Sequence, residues 1–125
     1  MIDLELLAPA KNIEIGIAAI DCGADAVYIA GPAFGARQAA GNSMEDLEQL
    51  CAYAHRFGAR IFMTQNTIIY DDELQEAYSL MCRAEEAGVD AIIVQDLAIL
   101  KMADGGPDGN GRRIRIPLHA STQCA

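Results

Sequence analysis

The chain has 125 residues, 52% of them apolar, and carries nine Lys plus Arg against eighteen Asp plus Glu for a formal charge of −9. That length fits one domain and that apolar share supplies a core, so the chain is globular, and its acidic surface repels phosphate backbones and anionic membranes wherever cations are not gathered. No stretch approaches the ~18 uninterrupted apolar residues of a membrane span, and Asp3 and Glu5 stand where a leader would carry cations, so a cytoplasmic location without a membrane partner is expected.

Leu4 to Ala8 reads as a first strand stopped by Pro9, which cannot donate to a ladder. A helix follows from about Asn12 to Cys22, with Ile13, Ile17 and Ile20 on one stripe. The second strand, about Asp25 to Ala30, closes at Gly31-Pro32, and residues 33 to 42 form a long polar loop with Arg37 at its centre. Ser43 is a good N-cap for a helix running to Phe57, with Asp46 at the third helical position and Met44, Leu47, Leu50, Cys51 and Ala54 facing the core. Strand three, Arg60 to about Asn66, leads to the candidate caps Asp71 and Asp72 and to a third helix with Leu74, Ala77, Tyr78 and Met81 on one face. Strand four, Ala91 to Gln95, is followed by Asp96 as a cap and a short helix from Leu97 to about Met102. The glycine-rich segment 104 to 111 reads as a mobile surface turn, Arg112, Arg113 and Arg115 as a solvated loop, and Ile114 to about Thr122 as a fifth strand.

Gly23, Gly58 and Gly88 each end a helix and precede a short apolar run, at a spacing of about thirty residues that is the period of a β/α unit. Alternating strands and helices allow an open doubly wound sheet or a (β/α)8 barrel. The barrel is favoured, because no G-x-G-x-x-G follows the first strand and every strand ends in polar residues that would share one rim. A barrel takes ~250 residues. Residues 1–125 therefore read as half of one, a partial barrel domain of parallel strands with two open sheet edges, either truncated from a longer enzyme or associating with another copy through those edges.

The candidate site lies at the strand ends. Alternation puts Leu118 and Ala120 toward the helices and His119, Ser121 and Gln123 toward the barrel interior, with His119 and Ser121 about 7 Å apart along the strand. The same alternation groups Phe62, Thr64 and Asn66 in strand three and Ile92, Val94 and Asp96 in strand four, so that Asn66, Asp96, His119, Ser121 and Gln123 are expected to converge on one mouth. His119, Ser121 and Asp96 are the catalytic candidates, with His119 a general base or a hydrogen-bonded interior histidine and Asp96 a site carboxylate or a helix cap. Arg37 can fork onto a carboxylate or phosphate, and its bland alternative is a loop-ordering salt bridge. His55, near a helix C-terminus, reads as structural, and Cys22, Cys51, Cys82 and Cys124, lacking C-x-x-C spacing, read as buried free thiols with no metal role. No nucleophile elbow, zinc-protease helix or P-loop is present.

Taken together, Glu5 to Ala10, Gly23 to Tyr28, Phe34 to Arg37, Gly41-Asn42 and His119 to Gln123 resemble, in order and over essentially the whole chain, the collagenase-like peptidase family, peptidase family U32. The resemblance implies a barrel-like catalytic domain continuing past Ala125 and a peptidase acting on a peptide or protein substrate, while the acidic surface makes nucleic acid an unexpected partner of this portion. It also implies an alternative, since some members take part in hydroxylating RNA bases or quinone precursors, and certain of these hold an iron–sulfur cluster through later cysteines; no cofactor is implied within these residues. A non-catalytic binding module is the third reading. Carried across, the resemblance marks Arg37, Asn42, Asn66, Thr122 and Gln123 as substrate-binding rim residues beside Asp96 and Ser121. Lys11, where the family has glycine, and the long Gly105 to Gly111 turn depart from the pattern.

Overall fold

A computed structural model of the protein describes residues 6–32, 42–65, 74–94, 105–106, 109, 111 and 113–120. The elements alternate as β1 (Leu7–Ala10), α1 (Ile13–Asp21), β2 (Ala26–Ala30), α2 (Met44–Arg56), β3 (Arg60–Gln65), α3 (Leu74–Ala87), β4 (Ala91–Val94) and β5 (Leu118–Ala120). All five strands are parallel and stand in the order β1-β2-β3-β4-β5. This order distinguishes the two architectures open to the sequence. A doubly wound sheet reverses direction near its middle, whereas an unbroken sequential order with right-handed crossovers keeps every helix on one face. The fold is a partial β/α barrel.

The helices begin and end where local chemistry dictates. Asn12 Oδ1 accepts the amide of Ile15 at 2.9 Å, and Ser43 Oγ accepts that of Asp46 at 3.1 Å. Each helix closes by the same device, in which the amides of Ala24, Ala59 and Val89 reach back to the carbonyls of Ala19, Ala54 and Ala84. The intervening Gly23, Gly58 and Gly88 take φ of +100°, +75° and +101°, the left-handed region that a side chain would strain. The chain then enters the next strand at once.

The core lies between the sheet and α1, α2 and α3. Val27, Ile29, Ile61, Met63, Ile92 and Val94 from the strands meet Leu47, Leu50, Cys51, Ala54, Ala77, Met81 and Ala84 from the helices. Each fully buried Leu or Ile contributes roughly 1.5–3 kcal/mol. The opposite sheet face carries Tyr28, Phe62, Thr64 and Ile93 at intermediate exposure. There the Tyr28 and Phe62 rings meet 5.5 Å apart at 53°, with the Arg60 guanidinium 5.5 Å from the Phe62 ring.

Several expectations change. Pro9 does not stop the first strand but lies within β1 opposite Tyr28, which an edge strand tolerates because the missing amide removes no ladder bond on the open side. Among the described residues the fifth strand is Leu118–Ala120, starting later than Ile114. Glu85 of α3 accepts the amides of Arg115 and Ile116 on its Oε2, so these two amides are turned to the helix, and pairing with β4 begins at the Pro117 carbonyl, which accepts the Ile92 amide at 3.0 Å. Of the segment 104–111, expected to form a mobile surface turn, Gly105, Gly106, Gly109 and Gly111 are described. Gly111 donates to the carbonyl of Gly105 at 2.6 Å, and Gly106 and Gly111 press so closely on Tyr78 that a Cβ would fall 3.1 Å from its ring and 2.4 Å from its hydroxyl. Cys22 is exposed at the C-cap of α1, whereas Cys51 is buried and Cys82 half-buried, all three free. The expected Asp71, Asp72 and Asp96 caps, the helix from Leu97, and Cys124 lie outside the described residues.

Candidate functional site

The strand registers sort side chains into rows. Pro9, Tyr28, Phe62 and Ala91 share one level, and Ala30, Thr64, Ile93 and His119 share the inner level nearest the C-terminal ends. Between and above them, Ala10, Ile29, Met63, Ile92 and Leu118 form one helix-facing row and Gln65, Val94 and Ala120 begin the next. His119 thus takes the inner position expected for it and is exposed there. The expected grouping of Ile92 and Val94 with Phe62 and Thr64 fails, because Ile92 pairs with Met63 and Val94 with Gln65 on the helix side. Alternation in β4 therefore gives no ground for joining Asp96 to Asn66 at one mouth. Arg37, Asn66, Asp96, Ser121, Thr122 and Gln123 lie outside the described residues.

Asn42 is placed in detail. Its side chain, 8% exposed, donates from Nδ2 to the carbonyl of Ala30 at 3.0 Å and to that of Lys11 at 3.2 Å. Ala30 ends β2, Lys11 lies in the turn between β1 and α1, and Ser43 beside Asn42 caps α2. Both amide hydrogens are spent on the rim's own backbone.

Gln65 falls inside the strand expected from Arg60 to about Asn66 and is not among the site residues expected from the sequence. It is 4% exposed at the C-terminal end of β3, and among the described residues neither Oε1 nor Nε2 has a hydrogen-bond partner. Each orphaned buried polar group costs about 1–3 kcal/mol. Its alternation with Ile61 and Met63 was the available signal, since a polar residue at a helix-facing position must be satisfied or strained.

At the opposite, N-terminal end of the sheet a thiol, an imidazole and a carboxylate come together. His55 Nε2 lies 2.8 Å from Asp90 Oδ2, and a Cβ on Gly88 would touch both Cys51 and His55. The order imitates a cysteine–histidine–aspartate relay, but the electrostatics oppose one. Burial, with Asp90 and Glu48 nearby, pushes the Cys51 thiol from 9.0 up to about 12, whereas a nucleophilic cysteine needs a lowered value. Asp90 instead works on the backbone: its Oδ2 accepts the Ile61 amide at 2.8 Å while its own amide donates to the Ile61 carbonyl at 2.8 Å. Asp25 accepts the Leu6 amide at 2.8 Å in the same way two units earlier. These aspartates stitch the start of one strand to its neighbour. His55 is structural, as expected, through Asp90. On α1 and α2, Tyr53 donates its hydroxyl to Asp21, which raises its pKa.

Cys22, Cys51 and Cys82 stand on three different helices, and among the described residues no three His, Cys, Asp or Glu side chains gather to hold a metal. These residues do not fit an iron–sulfur cluster. Among the described residues no helix is long and apolar enough to cross a membrane.

The family model described as Peptidase family U32 matches residues 11–125. The chain is 53% identical over 121 residues to the 23S rRNA 5-hydroxycytidine C2501 synthase of Escherichia coli (strain K12), covering 97% of this chain and 17% of that protein. It is 34% identical over 123 residues to a collagenase of Porphyromonas gingivalis, covering 97% and 28%, and 33% identical over 122 residues to tRNA hydroxylation protein P1 of Bacillus subtilis, covering 95% and 27%. The chain spans less than a third of the length of each.

Proposed function

The chain belongs to peptidase family U32, and on that footing we propose that it is part of an enzyme that hydroxylates a base in RNA. What carries the reading is the 53% identity to the rRNA hydroxycytidine synthase, well above the 34% to the collagenase over the same share of the chain. The substrate base meets the C-terminal rim, where β/α barrels keep their chemistry. Arg37 forks onto a backbone phosphate there, a planar pair of donors for a bidentate anion. Asn66, Ser121, Thr122 and Gln123 supply hydrogen bonds around the base, and His119 on the inner face is the titratable group available to move a proton. The acidic charge of the chain confines RNA to this mouth and keeps it off the outer helices. The edges at β1 and β5 are met by the remainder of a longer polypeptide, consistent with the small share of each relative that the chain covers.

The test is nucleoside mass spectrometry of ribosomal and transfer RNA from cells with and without the gene. Loss of a hydroxylated nucleoside, restored by the wild-type gene and not by an Arg37→Ala variant, is the expected outcome; unchanged RNA ends the proposal. The second reading, peptide-bond hydrolysis, draws on the collagenase likeness. Cleavage of gelatin or a peptide library by the purified full-length protein is the result that would favour it.

A further inference from the structure

We propose that Asn42 is a positioning residue of the rim and makes no contact with substrate, a role that rests on hydrogen bonds and deepens the reading above. An Asn side chain owns two N–H donors. In this protein one is given to Ala30, the last residue of β2, and the other to Lys11 in the turn after β1. With 8% of the residue exposed, no donor is left for a ligand.

The bond to Ala30 pins together the two ends of the segment 31–41, which contains Arg37, and the bond to Lys11 ties that neck to the neighbouring connection. Through Ser43 the same backbone enters α2, whose Leu47, Leu50 and Ala54 are fully buried. Asn42 thus fixes three adjacent rim segments to one another and to a helix anchored in the core. The chemistry requires an amide. An aspartate at this position would present oxygens to two carbonyl oxygens and convert two attractions into repulsions, and an alanine would remove both bonds and leave the two part-buried carbonyls to solvent. A clamp of this kind acts on catalysis by orientation, where a small displacement of a binding group costs rate with little change in the contacts made.

The experiment is limited trypsin digestion of the full-length protein, wild type, Asn42→Asp, Asn42→Ala and the milder Asn42→Ser, following cleavage after Lys11, whose own carbonyl the amide holds, against cleavage after Arg83 in α3. Cleavage that samples local opening tracks the open population, so the loss of these bonds should speed cutting after Lys11 about tenfold or more with cutting after Arg83 unchanged. Steady-state assay of the same variants on the RNA substrate should show kcat falling with KM nearly constant. Cleavage after Lys11 within twofold of wild type in all three variants overturns the clamp, as does an equal rise at both sites, which reports global loosening. A raised KM with unchanged proteolysis would return Asn42 to the substrate. The proteolysis does not depend on which reaction the enzyme performs, so an absence of RNA hydroxylation ends the functional proposal and leaves this one standing or falling by itself.

Discussion

Replacing Gln65 by Met should stabilise the protein. The side chain sits at 4% exposure with Oε1 and Nε2 both unpartnered among the described residues, in the helix-facing row with Val94 and two residues beyond Met63. Two orphaned groups at about 1–3 kcal/mol each set the upper range, and methionine keeps the length and flexibility of glutamine while filling the same space with apolar atoms. Allowing for partial relaxation around the amide, a net gain of about 2 kcal/mol is expected. With a urea slope of about 1–3 kcal/mol per molar, the midpoint should rise by roughly 1 M at unchanged slope, read by circular dichroism. A midpoint lower than wild type would refute the reasoning, because it would mean that the amide has partners whose loss outweighs its burial. Buried polar groups that cost stability recur at functional sites, so under the proposed function the same variant should lose hydroxylation activity while gaining stability.

Asp90→Ala should cost about 2–3 kcal/mol, since it orphans the Ile61 amide and removes the partner of His55, and Asp90→Asn should cost less because an amide oxygen still accepts from Ile61; equal losses in thermal denaturation would contradict this. Gly88→Ala should cost about 1–2 kcal/mol through backbone strain at φ +101°, as the new methyl group would meet Cys51 and His55 only at ordinary contact distances; a neutral substitution in the same assay would contradict it. In the native protein at pH 8, iodoacetamide should modify exposed Cys22 and spare Cys51, whose thiol ionises only at about 12; comparable labelling would remove the buried-thiol assignment. Because the folded value lies above the ordinary 9.0, the Cys51 contribution to stability is complete below pH 9 and is lost as pH rises through 12. Stability of Cys51→Ala relative to wild type should therefore be flat below pH 9 and should shift in the variant's favour above it.

The repeat of helix-ending glycine and buried strand was plain in the sequence because both halves of the device are local. A left-handed cap admits little but glycine, and a strand covered on one face by helices must be apolar there, so Gly23, Gly58 and Gly88 marked the elements that formed. The family likeness was legible on the same segments and is shown over residues 11–125. The Gly-x-Asp steps at Asp25 and Asp90 were visible too, but their work on the neighbouring strand was not, since the amides they accept belong to residues 19 and 29 positions away.

What the linear pattern settled, then, was the alternation of the described elements, the Ser43 cap, the glycine ends and the stripe each helix buries, all of which follow from interactions within a few residues. Tertiary structure decided which way each strand faces its neighbour. A single step of register exchanges the two faces of a strand, and that step is set by contacts between distant segments. For that reason Ile92 and Val94 joined the helix side against expectation, and Asn42 spent its amide on Lys11 and Ala30, residues that no spacing rule connects to it.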